Sequence, residues 1–355
     1  MAILDGVGRA IGRRGLGAAL AIGLALGLLA LLLLWPRPPT APAPPGPMRL
    51  ADYPRPAGDN GRGVHWIPTP SQRKSVVDRF VGEADEMGMR WVVFLNQGAS
   101  IGDNDYLVQQ LAGRGMMPVM RVLTHRGAPL RQDITAMVQH YRQLGVRYFQ
   151  LYNEPNLPSE NQDQDPSVDR YLDLWLPAAK QVLAGGGLPG LGSLAPGAEV
   201  DDVEFLRQTL QGIKARGERQ VLDRAWVGVH NYLLGSPERP VAEDPGFQRP
   251  RLYDQVVREE LGRSLPIIGT EGGIPADRPA GWVDASTDRL LGAFELVAEG
   301  QQPYLFAYTY WLIANEEGGG DDPAFRDQAL IRPEGDSPLA AALKRIALQN
   351  GSSDE

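Results

Sequence analysis

From about residue 50 onward, short apolar runs alternate with longer stretches whose apolar positions recur every three or four residues. Short runs rich in β-branched and aromatic residues read as strands buried on both faces, and the 3.6-residue period reads as amphipathic helix. The strand-like runs are 63–67 (GVHWI), 90–96 (RWVVFLN), 117–123 (MPVMRVL), 146–153 (VRYFQLYN), 191–196 (LGSLAP), 225–232 (AWVGVHNY), 266–271 (PIIGTE) and 305–311 (LFAYTYW). Helical patterns such as QRKSVVDRFVGEADEMG, SVDRYLDLWLPAAKQVLAGG and DVEFLRQTLQGIKARG separate them, several closing on glycine, and a last one, SPLAAALKRIALQ, follows the eighth run. Eight strand-helix units in roughly 300 residues predict an α/β chain folded as a (β/α)8 TIM barrel over residues 49–350, with a doubly wound open sheet as the alternative. In such a barrel the site lies where the strands end, and the longest loops, 157–166, 235–250 and 315–336, follow strands.

The N-terminal pattern differs. Residues 16–35 (LGAALAIGLALGLLALLLLW) are uncharged and match the roughly 20 residues that cross a hydrocarbon core. They are expected to form a transmembrane signal anchor. Arg9, Arg13 and Arg14 precede it, so the positive-inside tendency puts residues 1–15 in the cytoplasm and the rest outside. A secreted protein freed from a cleaved signal peptide is the alternative, but the apolar stretch exceeds the usual ~7–15 residues of such a peptide. Residues 36–48, beginning PRPPTAPAPPGP, read as a stiff extended spacer.

Composition narrows the chemistry. A hydrophobic content of 43% in 355 residues supports a sizeable core, and a net charge of −8 argues against a nucleic-acid partner. With no cysteine there is no disulfide, thiolate metal site or cysteine nucleophile, so catalysis falls to oxygen and nitrogen groups.

The fourth and seventh runs both end on a carboxylate: Glu154 in FQLYNEPNLPSE and Glu271 in IIGTEGG. Either alone reads as a solvated loop charge; in a barrel the two share one rim. Cleaving a glycosidic bond needs a proton donor for the departing oxygen and a carboxylate facing the cation-like sugar carbon. A separation of about 5–5.5 Å lets the second carboxylate attack directly, with net retention of configuration. The donor is expected to have a raised pKa while the nucleophile stays ionised.

With these motifs in this order, nearly the whole outward-facing part resembles the retaining clan A glycoside hydrolases, which include families 5 and 39. The resemblance implies a hydrolase for β-linked glycans, with Glu154 as acid/base, Glu271 as nucleophile, and Asn153 bonding the sugar hydroxyl beside the reacting carbon. It implies that Tyr232 bonds the nucleophile beside His230, and that Trp311 in YTYWLIAN forms a platform under the sugar. The bland readings are a core histidine with a packing ring, and a core tryptophan. Arg121 in VMRVL suits either a charge-assisted bond to the nucleophile or a structural ion pair. His65 and Trp66 in GVHWIP are further candidate substrate contacts if the first strand ends there.

Other motifs carry less. GASIG (98–102) has the G-x-S-x-G spacing and would make Ser100 the nucleophile of a serine esterase, but the chain has no histidine beyond His230. GGGLPG (185–190) follows a helix and precedes a strand, opposite to a dinucleotide fingerprint, and reads as a loop. The acidic NEEGGGDDP after the eighth run lacks the ligand spacing of a calcium loop. No metal or organic cofactor is implied. The expectation is a membrane-anchored, extracytoplasmic retaining glycosidase; the main alternative is a catalytically silent barrel binding cell-envelope polysaccharide.

Overall fold

The strands are β1 (Arg62–His65), β2 (Trp91–Gln97), β3 (Met117–Leu123), β4 (Tyr148–Leu151), β5 (Leu188–Leu194), β6 (Trp226–His230), β7 (Ile267–Glu271) and β8 (Leu305–Tyr310). In the computed structural model, which describes residues 46–315 and 323–351, they pair in chain order, all parallel, and close into a barrel through Arg62 opposite Tyr308. Closure explains why the runs read as continuously apolar: one face of each strand looks into the barrel and the other under a helix, so neither meets water. The doubly wound alternative is excluded. The expected membrane helix (16–35), most of the spacer and most of NEEGGGDDP lie outside the described residues, which from Pro47 onward form one compact unit. Among the described residues no helix is long and apolar enough to cross a membrane.

The outer layer comprises α1 (Lys74–Glu86), α2 (Asp105–Gly113), α3 (Thr135–Leu144), α4 (Val168–Ala184), α5 (Asp202–Ala215), α6 (Arg249–Leu261), the single turn α7 (Trp282–Ala285), α8 (Thr287–Ala298) and α9 (Pro338–Gly351). Their apolar stripes face the barrel, as with Val76, Val77, Phe80, Val81 and Ala84 of α1. Ser167 and Asp201 cap α4 and α5 by accepting the backbone N–H groups of Arg170 and Glu204, donors the first helical turn otherwise leaves without partners.

Inside the barrel, the even-numbered strands contribute a layer of rings near their N-terminal ends: Trp91, Tyr148, Trp226 and Phe306. Trp91 contacts Tyr148 at 5.6 Å and Phe306 at 6.3 Å, and Tyr148 meets Trp226 edge-on at 5.8 Å. Met48, Leu50 and Tyr53 pack over that mouth, with Tyr53 donating to the Ala225 carbonyl (2.9 Å) and Tyr148 to that of Pro54 (2.6 Å). The segment leading into the barrel therefore seals its N-terminal end and leaves the opposite rim for the loops.

Two details depart from the sequence reading. β5 begins at Leu188, inside the stretch read as a loop. Its glycines obscure the pattern because Gly190 leaves room for the Trp226 ring, which fills the space a side chain would occupy. A small antiparallel hairpin, β9 (Ile331–Arg332) and β10 (Gly335–Asp336), also interrupts the last loop.

A Cβ on Gly190 would lie 2.5 Å from the indole of Trp226. Gly190→Ala is expected to destabilise the barrel by about 1–3 kcal/mol, the usual cost of overpacking, measured as a lowered denaturation midpoint at unchanged slope.

Candidate active site

β4 ends in an abrupt turn. Tyr152 and Glu154 both take positive φ, 62° and 38°, conformations costing non-glycine residues on the order of 1–3 kcal/mol each. Surrounding bonds hold the turn: the Glu154 N–H donates to the Ser193 carbonyl (3.1 Å) and its carbonyl accepts from Leu157 N–H (2.8 Å). Asn156, fully buried, ties the same loop to the one after β5 by donating to the carbonyls of Ala195 (2.8 Å) and Val200 (3.1 Å) and accepting from Ala195 N–H (3.0 Å). In Asn-Glu-Pro-Asn, the last asparagine thus serves the loop while Asn153 and Glu154 face the rim.

Glu271, the last residue of β7, is opposite His230 in the ladder and accepts from Arg121 (2.7 Å) and from the Tyr232 hydroxyl (3.0 Å). Arg121 projects from β3, so three strands or strand ends converge on this carboxylate. His230 joins it to the other one: Nδ1 lies 2.7 Å from Glu154 Oε1 and 3.5 Å from Glu271 Oε2. Laid end to end, these distances cap the gap between the two facing oxygens at about 6 Å.

The charges are interdependent. Burial opposes charging His230, yet Glu271 and Glu154, with the bond to Glu154, hold its pKa above the ordinary imidazole value. Burial likewise tends to raise Glu154, but the charge and hydrogen bond of His230, helped by Arg121, outweigh it and the net shift is downward. This is opposite to the raised donor pKa expected from sequence: of the two groups, 2.7 Å apart, the imidazole is the one whose pKa is raised. Tyr232 is pushed well above its usual range, first by burial and then by the two carboxylates, and therefore remains a donor.

Asn153 donates to Glu154 Oε2 and accepts from Gln150, both at 3.4 Å. His65 is fully buried, with Nδ1 2.8 Å from the Trp66 carbonyl. A carbonyl only accepts, so Nδ1 carries the proton. Burial, opposed mainly by Glu271, lowers the pKa of His65 to about 4, leaving a neutral ring. Its ring packs on Trp311 at 4.4 Å, and Trp311 also meets Phe325 edge-on at 5.3 Å. Trp311 is 8% exposed, its indole N–H has no partner, and its backbone N–H donates to Gly272 next to Glu271.

Trp66 is placed elsewhere. Its indole N–H donates to Gln72 (2.6 Å) and its ring packs edge-on against Phe80 of α1, so it belongs to the layer between barrel and helices. Adjacent residues of an extended strand face opposite ways, so His65 and Trp66 cannot share the cleft. Ser100 sits half-buried on the β2 loop, and no hydrogen bond joins it to a histidine among the described residues: His140 bonds Asp105, His230 bonds Glu154, and His65 bonds a backbone carbonyl. One residue near the site had no sequence signal: Glu160, whose carboxyl is pushed up by burial and drawn down by the charge of Arg121. Among the described residues no three histidine, aspartate or glutamate side chains form a group suited to a metal ion.

No protein-family model matches this chain, and no curated protein does. Solved structures do. The chain is similar to the GH39 enzyme from Xanthomonas axonopodis pv. citri, with 17% identity and TM-score 0.57 over 88% of this chain and 72% of that one. It is also similar to a GH128 (subgroup II) endo-β-1,3-glucanase from Pseudomonas viridiflava (17%, 0.51, 81% and 97%) and to an endo-β-1,4-mannanase from Thermotoga petrophila (12%, 0.52, 87% and 79%). At such identities the likeness is one of fold: the chain has the closed parallel TIM barrel of these glycoside hydrolases, the fold of the clan A group whose motifs it resembles.

Proposed function

We propose that this protein is a retaining glycoside hydrolase cleaving a β-linked glycan by double displacement, with Glu154 as acid/base and Glu271 as nucleophile. The observation that carries the reading is the meeting of two carboxylates from β4 and β7 at one ring nitrogen of His230. In the first step Glu154 gives a proton to the glycosidic oxygen as that oxygen leaves, and Glu271 forms the bond to the sugar carbon. In the second, water attacks that carbon, Glu154 takes its proton, and Glu271 is released.

Glu154 must hold the proton at the moment of transfer, and the short bond to His230 supplies it. A glycan filling the cleft excludes water, and in a drier site the uncharged pair of carboxylic acid and imidazole gains over the ion pair because no charge needs solvating. Arg121 and Tyr232 both donate to Glu271, directing its negative charge toward the mouth. Trp311 offers an apolar face for the C–H face of the sugar.

We place the protein at the cell membrane, with residues 16–35 as anchor and the catalytic domain outside.

Glu271→Gln is expected to lower kcat roughly 10^4-fold or more, since no other group can form the covalent intermediate. Glu154→Gln should cost roughly 10^2–10^4-fold on a glycan but much less on dinitrophenyl glycosides, whose leaving group needs no proton. Unchanged turnover in either variant, or initial inversion of the product anomer by NMR, rejects the roles; binding of glycans by the wild type without hydrolysis favours the silent barrel. A second outcome concerns pH. With His230 raised by the two carboxylates, the alkaline limb of kcat/KM lies above the ordinary imidazole value; in His230→Gln only the carboxyl remains, and the limb should move to lower pH.

A further inference from the structure

We infer that the groove between the end of α3 and the turn before β5 is a binding site for a phosphoryl group, held by Arg142 and Arg147. It lies at the N-terminal end of the barrel, where α3 and α4 finish and β4 and β5 begin, opposite the rim that carries Glu154 and Glu271. It is therefore separate from the cleft and independent of the glycosidase reading. The groove is open, with a volume of about 550 Å³, and is lined by Gln139, Arg142, Gln143, Arg147 and the turn 184–186.

Both guanidiniums are fixed from behind. Arg142 donates to the Gly186 carbonyl (2.5 Å) and Arg147 to the Arg142 carbonyl (2.9 Å), which leaves most of the N–H donors of each fork unspent. Gln139, Arg142 and Gln143 follow i, i+3, i+4 spacing on α3, so two exposed amides share the helix face of the first arginine. Glycine keeps the opposite wall bare: Gly186 takes φ 80°, and a Cβ on it would lie 3.3 Å from the Arg142 guanidinium.

What sets this pair apart is the lack of a carboxylate. At the same end of the barrel Arg90, Arg114 and Arg263 lie 3.7, 3.8 and 3.6 Å from aspartates. Among the described residues neither Arg142 nor Arg147 forms an ion pair, and no acidic side chain lines the groove. The pKa of Arg147 is lowered, first by burial and then by the charge of Arg142, so two like charges are held together without a counter-ion. An arginine near a helix end ordinarily answers the negative end of the helix dipole. Arg147 lies beyond the last turn of α3, and the final carbonyls of that helix already accept from the N–H groups of Gly145 and Val146.

Two forks and two amides suit an anion that offers several oxygens and more than one charge. A phosphate monoester carries about −1.5 to −2 at neutral pH and three acceptor oxygens, matched by arginine forks. A carboxylate brings a single charge and fewer acceptors. The ligand class is therefore a phosphoryl group, carried by a lipid headgroup or by a soluble molecule.

The test uses the full-length chain in uncharged detergent at constant ionic strength, with binding read by calorimetry. The probes are inorganic phosphate, acetate and micelles doped with phosphatidic acid, with phosphatidylcholine micelles as baseline. Phosphate should bind at least about fivefold tighter than acetate, and Arg142→Gln combined with Arg147→Gln should abolish that preference. Gln143→Glu, at an exposed position, puts a carboxylate in the groove without touching the anchoring bonds. It should weaken phosphate binding at least about fivefold, which separates a lost site from a lost fold. Equal affinity for phosphate and acetate, or phosphate binding that either variant leaves unchanged, overturns the inference. With the site upheld, tighter binding of phosphatidic acid micelles than of phosphate assigns it to a lipid headgroup, and equal or weaker binding assigns it to a soluble phosphoryl group.

Discussion

Barrel closure is the constraint on which the remainder depends. Because β8 returns to pair with β1 and every neighbour is parallel, all eight strand ends open on one rim. β4 and β7 are not neighbours in the sheet, and only a closed wall turns their ends toward each other across a mouth. The ring layer of Trp91, Tyr148, Trp226 and Phe306 fills the lower barrel and, with the Tyr53 segment, makes that wall a packed solid. Groups on its rim are consequently placed by rigid elements rather than by mobile loops.

Charge balance at the rim follows from this rigidity. Isolating any one of Glu154, Glu271, Arg121 or His230 from water would be costly, and the site lowers that cost by giving each an opposite charge at hydrogen-bond distance. His230 is the pivot, because its Nδ1 faces both carboxylates while its burial keeps water from competing. The strained turn at Tyr152 and Glu154 belongs to the same economy of position. The two positive φ angles turn the chain out of regular extension just where the Glu154 carboxyl meets His230.

Trp311 and His65 add a wall of different character. The ring of His65 is neutral, its tautomer set by a backbone carbonyl, and it supports the indole without contributing charge. The cleft therefore combines an aromatic, uncharged patch with the charged pair of Glu154 and Glu271.

The sequence by itself determined the architecture and the two principal carboxylates. Strands covered on both faces must be apolar throughout, so eight such runs separated by amphipathic helices were countable, and a glutamate breaking the end of a run stands out against it. It also holds the only information on the apolar stretch at 16–35. Position in space was another matter. Trp66 looked like a rim residue beside His65, but strand alternation sends it under α1. The start of β5 was hidden because Gly190 owes its place to a ring on β6. The influence that holds the Glu154 carboxyl below its ordinary value comes from a histidine 76 positions away in the chain. These are contacts between distant segments, and local pattern carries no record of them.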